Sequence, residues 1–294
     1  VIVSGSNAKL ISREFGTMLT GRWLKIKTYP LKFAEFLEFR QIIITKKSDI
    51  LLQKIKIKQL LREYLQFGGF PLVVLQEEKE EIIRRYYEDI VTKDIAERNN
   101  IREIEKLRSL SKYYLTTVSS PFSYRKIVPV VGLSLDTIER FSEYFNQCYL
   151  LYYLQKFSYS LREQEINQRK VYAIDSGIIN MISFKFSENI GRLYENQVFV
   201  HLYQQQNELY YYKTDGYEID FLIKEGTLIK GLIQVCYNLD HFETKKREIT
   251  ALLKASKELK CNNLLIITDD QENEEIIEQK KIKYVPLWKF LLSF

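Results

Sequence analysis

Histidines, paired cysteines and glycine-rich loops are scarce or missing in this sequence, which argues against several classes of enzyme. Only two histidines occur, His201 and His241, too few for a histidine-rich metal centre or a ready Ser-His-Asp triad. We expect one on a helix surface and the other in a loop. The cysteines at positions 148, 236 and 261 form no Cys-x-x-Cys pair and no zinc spacing. Neither G-x-x-x-x-G-K-S/T nor G-x-G-x-x-G is present, so the chain as given has no phosphate-binding loop.

Long apolar runs are missing as well. The longest, such as CYLLYYL at 148–154, are far too short to cross a bilayer, so we expect no membrane partner. Unpaired cysteines are typical of reduced, mostly buried thiols, which predicts a cytoplasmic protein. With 11 Gly and 5 Pro beside abundant Lys and Glu, the composition is compatible with a thermophile.

What is present is an ordinary globular composition with a mild basic excess. Hydrophobic residues make up 46% and charged residues 28%, which argues against extended disorder. The net charge of +6 permits an anionic partner without requiring one. The 294 residues suffice for two or three compact units rather than one.

Apolar periodicity predicts a multidomain α/β protein. Residues 1–45 show a β-α-β remnant, and residues 46–102 are predominantly helical. Residues 103–184 give helices joined by sharp turns and then two strands, the order of a winged helix-turn-helix; the alternative is a helical linker with a hairpin. Residues 185–294 give a helix, three strands, a helix, the strand NNLLIITDD, a short helix and a last strand, IKYVPL.

The hairpin YEIDFLIKEGTLIKGLIQVCYNL, at 217–239, carries the most suggestive polar pattern. Glu218 and Asp220 are two residues apart, so a strand would place both carboxylates on one face. Gln234 and Cys236 hold the equivalent positions on the returning strand. The pattern suits half of a metal site, a metal site that has lost its chemistry, or a plain surface.

Five stretches of this sequence, in order, resemble a family of archaeal and bacterial AAA-plus ATPases that carry a restriction-endonuclease-like C-terminal domain. They are VIVSGSNAKLISREFGTMLTGRWLKIKTYPLKFAEFLEF, YLQFGGFPLVVL, YYEDIVTKDI, GRLYENQVFVHLY and GYEIDFLI. The resemblance covers nearly the whole chain. It implies an ATPase-domain tail, a helical lid-like segment, a winged helix and a restriction-endonuclease-like domain, with the boundaries given above.

The resemblance also implies nucleotide-sensing residues near the start. Asn7, or Ser6 beside it, matches a polar residue that senses the γ-phosphate, and Arg22 matches an arginine that reaches a neighbouring subunit's nucleotide. Such a cation stabilises charge on the transferring phosphoryl oxygens. The alternative is that Asn7 caps a turn and Arg22 pairs with a carboxylate. The Walker segments would precede Val1, so ATP and Mg²⁺ are expected in the intact protein and neither should bind this chain tightly.

Restriction-endonuclease-like nucleases use a helix Glu, a strand Asp and an acid-x-Lys on the next strand. The acids hold Mg²⁺ and the lysine orients or deprotonates the attacking water. Glu195 of LYENQ matches the helix acid and Asp220 the strand Asp, so these two are the implied metal ligands. Gln234 and Cys236 stand where the second acid and the lysine belong, and neither replaces them chemically. A migrated cation could come from Lys224 or Lys230, both near the connector.

The winged-helix interpretation predicts a recognition helix at 134–147, SLDTIERFSEYFNQ. Its three acids argue against reading duplex DNA, so DNA contact and protein docking stay balanced. The residues we predict to contact nucleic acid are Arg125, Lys126, Arg140, Arg169 and Lys170.

The working hypothesis is that the intact protein couples nucleotide binding to rearrangement of its C-terminal domains on DNA or a protein partner. Self-association through the ATPase domain is a further expectation. Two alternatives stay open: a Mg-dependent DNA nuclease with an atypical active site, and a non-enzymatic protein-interaction scaffold.

Overall fold

The computed structural model describes residues 26–44, 46–183 and 190–292. Over these residues the chain has a mixed α/β fold with two β-sheets, in agreement with the expected α/β class. Asn7, Ser6 and Arg22 lie outside the described residues, so their predicted roles are not addressed by the structure. No helix in the described ranges combines the length and apolarity needed to span a bilayer.

The first third of the described chain is helical because its apolar residues recur every three or four positions. Its helices are α1 (Phe33–Phe39), α2 (Lys47–Leu52), α3 (Lys54–Phe67), α4 (Pro71–Leu75) and α5 (Lys79–Asp89), the last continuing as a π-helix (Ile90–Glu97). In α3 the spacing buries Ile57, Leu60, Leu61, Tyr64 and Leu65 along one face. Pro71 begins α4, where its missing N–H costs no hydrogen bond.

Helix α3 ends at a glycine pair held by a distant carboxylate. Gly68 has φ +79° and ends the helix. Asp175 caps α10 (Ser176–Ile182), where its Oδ1 accepts from the Gly177 N–H at 2.8 Å. Its Oδ2 accepts from the Gly69 N–H at 2.7 Å. The buried carboxylate of Asp175 therefore joins the ends of two helices that are far apart in sequence.

The middle of the chain combines helices with a small antiparallel sheet. Its elements are α6 (Ile104–Thr116), β1 (Pro121–Phe122), α7 (Tyr124–Val131), α8 (Leu135–Gln147), β2 (Leu151–Leu154), α9 (Leu161–Ile166) and β3 (Arg169–Ala173). The strand order is β1-β3-β2. Ser134 caps α8, as predicted, by accepting from the Thr137 N–H at 3.3 Å.

The C-terminal part is a six-stranded mixed sheet with helices. Its elements are α11 (Ile190–Gln204), β4 (Glu208–Lys213), β5 (Glu218–Glu225), β6 (Leu228–Val235), α12 (Phe242–Leu259), β7 (Leu264–Thr268), β8 (Asn273–Ile277), β9 (Lys280–Pro286) and α13 (Leu287–Phe290). The order is β4-β5-β6-β7-β9-β8, with β6, β7 and β9 parallel. The predicted hairpin is β5–β6, which turns at Gly226 with φ +60°.

The two faces of this sheet pack against different partners. Phe221 and Ile233 belong to the large apolar core that contains residues of α11 and the N-terminal helices, whereas Leu222 and Leu232 pack with α12. The two sheets also meet, because the Phe157 N–H donates to the Tyr211 carbonyl at 2.7 Å at the edge of β4. The small sheet therefore lies against β4 and α11, where β3 can approach β5.

The prediction of a short helix before the last strand is wrong. Residues Asn273–Ile277 form edge strand β8, antiparallel to β9. Two glutamates of this strand pair with lysines from other elements: Glu274 with Lys281 of β9, and Glu275 with Lys245 of α12 at 2.6 Å. Ladder hydrogen bonds and ion pairs across the sheet override the local helical preference of Glu.

His201 is buried in α11, which corrects the expectation of a surface histidine. Its ring lies 5.0 Å from the ring of Phe290, and its Nε2 is 3.0 Å from the Gln205 amide nitrogen. Burial, with a smaller contribution from Lys32, lowers the pKa of His201 from 6.5 to about 4. The folded protein therefore holds this imidazole neutral through weakly acidic conditions.

This burial predicts a loss of stability in acid that His201→Gln should reduce. Below pH 6.5 the unfolded chain protonates His201 while the folded chain does so only near 4, so stability falls as pH decreases across that window. At 1.36 kcal/mol per pKa unit, the loss from this group between neutral pH and pH 5 is about 2 kcal/mol. Urea unfolding of wild type and H201Q at pH 7.5 and pH 5 measures the difference. Parallel pH profiles would contradict it.

Candidate functional site

Four charged side chains meet where β3, β5 and α11 come together. Glu195 projects from α11, Glu218 and Asp220 from β5, and Lys170 from β3. The Lys170 Nζ lies 3.0 Å from Glu195 Oε1, 2.7 Å from Glu218 Oε1 and 3.0 Å from Asp220 Oδ1. We call these four residues the carboxylate–lysine cluster. It unites both implied metal ligands, Glu195 and Asp220, around an ammonium group that was not expected there.

The cluster is largely closed to solvent. The Lys170 side chain is 2% exposed, against 13% for Glu195, 16% for Asp220 and 28% for Glu218. The Tyr172 hydroxyl donates to Glu195 Oε1 at 2.7 Å. Tyr172 is in turn stacked on Phe199 of α11, with ring centroids 4.2 Å apart. The stacking on Phe199 thus holds Tyr172 in place beside Glu195. Glu218 forms the more exposed side of the cluster.

Electrostatics within the cluster favour a charged lysine. Burial alone would lower the pKa of Lys170, but attraction from Glu195, Asp220 and Glu218 outweighs it and raises that pKa well above its usual value. Burial raises the pKa of Glu195 to about 7, although Lys170 opposes the rise. The pKa of Glu218 is lowered, because Lys170 and Lys213 together outweigh its burial.

Asp220 and Gln234 also hold the hairpin together where its ladder opens. Asp220 Oδ2 accepts from the Val235 N–H at 2.9 Å, and the Gln234 side-chain oxygen accepts from the Asp220 N–H at 2.8 Å. Gln234 Nε2 donates to the Glu218 carbonyl at 3.1 Å and to Glu248 of α12. The Gln234 amide therefore takes the place of ladder hydrogen bonds, and a carboxylate there could not donate these two bonds.

Cys236 follows the end of β6 and forms a hydrogen bond within its own loop. Its thiol donates to the Asn238 carbonyl at 3.3 Å. Burial, followed by the negative charge of Glu248, raises the pKa of Cys236 to about 11, so the thiol stays protonated at neutral pH. Neither Gln234 nor Cys236 thus contributes an anionic ligand or a cation to the carboxylates.

The residues of this site do not fit the Mg²⁺ ion that the family resemblance implies. The Lys170 ammonium already occupies the point toward which the three carboxylates converge. Among the described residues, no group of three or more His, Cys, Asp or Glu side chains is arranged to hold a metal ion. A cavity of about 720 Å³ borders α11 near Leu193 and Tyr194, yet no member of the cluster is among its described lining residues.

Of the predicted nucleic-acid residues, Lys170 requires a correction, and the other four lie on α7, α8 and β3. Arg125 and Lys126 are exposed on α7, and Arg140 is exposed on α8 with its guanidinium 5.9 Å from the ring of Phe141. Arg169 is paired through its NH2 group with a Glu165 oxygen at 3.1 Å. Lys170 is buried among carboxylates, so its ammonium cannot meet a phosphate in this conformation.

The cation of the cluster is Lys170, and not Lys224 or Lys230, which the sequence offered for that role. Lys224 pairs with Glu208 at 2.7 Å and Lys230 with Glu225 at 3.0 Å, both outside the cluster. The signal for Lys170 lay in KVYA, an apolar strand segment in which Lys170 and Tyr172 share one face. A lysine within such a strand needs a buried carboxylate partner.

Comparison with known proteins relates the chain to ATPases without assigning it an activity. Residues 1–37 match an AAA domain, residues 58–189 a domain of unknown function (DUF8612), and residues 190–290 a second domain of unknown function (DUF4143). The AAA match makes this an ATPase-related protein. No solved structure matches the chain.

Two similar proteins are longer than this chain. Over its full length the chain is 36% identical to the uncharacterized protein MJ1544 of Methanocaldococcus jannaschii, of which it spans 69%. It is 28% identical, over 81% of its length, to an uncharacterized protein of Haemophilus influenzae, of which it spans 59%. The chain therefore belongs to the family of MJ1544, within the ATPase-related proteins.

Proposed function

We propose that this chain is the partner-binding part of an AAA-type ATPase and that the partner is a protein. The intact protein binds ATP and Mg²⁺ through its ATPase domain and self-associates there. Nucleotide turnover then rearranges the units described above on the bound partner. The AAA match at residues 1–37 supports the first part of this proposal.

The order of elements in the middle of the chain supports a winged-helix binding unit. Helix α6, strand β1, helices α7 and α8, and strands β2 and β3 follow one another in the sequence of a winged helix. In that arrangement α8 is the helix that would enter a DNA groove, and residues 155–168, between β2 and β3, are the wing. The chemistry of the α8 and wing surfaces therefore indicates whether the partner is DNA or a protein.

The charge on α8 is the observation that favours a protein over DNA. Its exposed charged residues are Asp136, Glu139, Arg140 and Glu143. Three carboxylates against one guanidinium would repel the phosphates that supply most nonspecific DNA affinity. A protein surface with basic residues complements the same face.

The wing adds an apolar surface that suits the same partner. Tyr159, Leu161 and Ile166 are 80%, 79% and 73% exposed, and α9 buries none of its residues. Large apolar side chains so exposed within one short segment are typical of protein contacts rather than phosphate contacts. The partner we infer has an apolar groove for the wing beside basic residues for α8.

Crosslinking and DNA titration together test this choice. With a photo-crosslinking residue at position 161 of the intact protein in its own cells, we expect one dominant protein adduct. The adduct should be lost in Y159S/I166S and retained in the matched surface variant R125A/K126A. The purified adduct partner should change the ATPase rate of the intact protein. No ATPase response would leave a non-enzymatic scaffold as the function.

A DNA-binding measurement tests the opposite assignment, in which the partner is DNA. Labelled duplex DNA should show little binding in fluorescence anisotropy at 50 and 200 mM salt. Affinity that falls by about 10³-fold or more between those salt concentrations, and that R125A/K126A weakens, would overturn the protein assignment.

A DNA nuclease is the second candidate, favoured by the convergence of Glu195, Glu218 and Asp220. The central Lys170 and the structural role of Gln234 oppose it. Supercoiled plasmid incubated with the chain and Mg²⁺ or Mn²⁺ should stay intact. Cleavage that disappears in D220A would establish the nuclease instead.

A further inference from the structure

We infer that Lys170 is a built-in cation that takes the place of a divalent metal ion among Glu195, Glu218 and Asp220. Replacing Lys170 with a smaller neutral residue should open a site for a hard divalent cation such as Mg²⁺, Mn²⁺ or Ca²⁺. The inference concerns the chemistry of the cluster and does not depend on which partner the protein binds.

The coordination of the Lys170 ammonium supports this substitution. Three oxygens from three residues lie 2.7–3.0 Å from Nζ, the distances of charge-assisted hydrogen bonds. Metal–oxygen distances are shorter, about 2.0–2.1 Å for Mg²⁺ and about 2.3–2.6 Å for Ca²⁺. The oxygens would therefore need to move inward by about 0.6–1.0 Å for Mg²⁺ and by about 0.1–0.7 Å for Ca²⁺.

The three carboxylates of the cluster carry more negative charge than one ammonium neutralises, so the cluster favours a bound cation. One ammonium serves three carboxylates, and Lys213 supplies a second contact to Glu218 alone, at 2.8 Å. Removing Lys170 leaves Glu195 and Asp220 without their ammonium partner in a mostly buried space. A divalent ion with oxygen ligands is the cation best suited to that position.

The position of Lys170 is fixed by the small sheet and by its burial. It projects from the middle of the small sheet, paired on both sides by β1 and β2. Its side chain is 2% exposed, and its Nζ lies 5.7 Å from the centre of the Tyr211 ring. A divalent ion would have to displace a buried ammonium that is held by three carboxylates, so wild type should not bind one.

Thermal unfolding with added salts tests the inference in the full chain. Wild type, K170A and K170A/D220N are compared in MgCl₂, MnCl₂ or CaCl₂ against KCl of equal ionic strength. We expect Mn²⁺ to raise the Tm of K170A by at least about 3 °C, with no rise for wild type. The response should disappear in K170A/D220N. K224A, which removes a lysine outside the cluster that is 26% exposed, should behave as wild type.

Several outcomes would overturn the inference. One is a folded K170A whose Tm ignores all three ions. Another is a wild-type Mn²⁺ response that D220N abolishes, because the lysine would then not exclude the metal. K170M fills the volume of the lysine stem and serves as the second variant. If neither variant folds even when refolded with Mn²⁺, a divalent ion cannot replace the ammonium and the inference also fails.

Discussion

Replacing Lys170 with methionine should lower the free energy of unfolding by about 3–5 kcal/mol in metal-free buffer, because it leaves buried carboxylates without their counter-ion. Methionine keeps the volume of the lysine stem, so lost packing contributes little. The three carboxylates sit 2.7–3.0 Å from the departing charge and are between 13% and 28% exposed. Urea unfolding in EDTA, followed by circular dichroism, measures the loss.

Lys224→Met is the matched control for this effect. Within the described ranges Lys224 pairs with Glu208 at 2.7 Å, and Glu208 is half exposed. Surface pairs of this kind contribute about 0–1 kcal/mol, so K224M should unfold close to wild type. If K170M lost no more than K224M, the carboxylates would be relaxing into water, and the cluster would not bind the two sheets together as its geometry implies.

Three residues of the cluster can be predicted from the sequence, and the fourth, Lys170, cannot. Alternation along the hairpin predicts Glu218 and Asp220 on one face of β5, and both contact Lys170 there. The family resemblance adds Glu195 to them. The sequence predicts nucleic-acid contact for Lys170 instead, because its 50-residue separation from Asp220 hides their contact. Only the meeting of β3 and β5 brings the two residues together, and no local pattern encodes that meeting.

Local patterns succeeded where local forces decide the structure. Ser134 was predicted as a helix cap and accepts from the Thr137 N–H. The hairpin expected at 217–239 also forms, as β5 and β6, although β6 ends at Val235. The prediction failed at β8, where pairing with β9 outweighs the helical preference of glutamate. Gln234 was likewise read as a lost ligand, because its bonds to the β5 backbone depend on where the ladder opens.

Gly68→Ala should be among the most damaging single-methyl changes in the described chain. Gly68 has φ +79° and ψ −166°, a region almost reserved for glycine, and an alanine there costs about 1–3 kcal/mol in strain. Its Cβ would lie 1.8 Å from Asp175 Oδ1. Avoiding that clash displaces the carboxylate from the Gly69 and Gly177 N–H groups, at about 1–3 kcal/mol for the buried groups left unpaired. The expected loss of unfolding free energy is therefore about 2–6 kcal/mol.

Alanine substitutions at two other glycines distinguish the cost of backbone strain from the cost of a steric clash in the same unfolding experiment. Among the described residues, no atom lies within 4 Å of the position that a Cβ would take at Gly216, and its φ is not positive. G216A should therefore change stability by less than about 0.5 kcal/mol. Gly226 has φ +60° with open space around its Cβ, so G226A should cost about 1 kcal/mol from strain alone. If G68A cost no more than G226A, Asp175 could move aside freely, and its bridge between α3 and α10 would contribute little to holding those helices together.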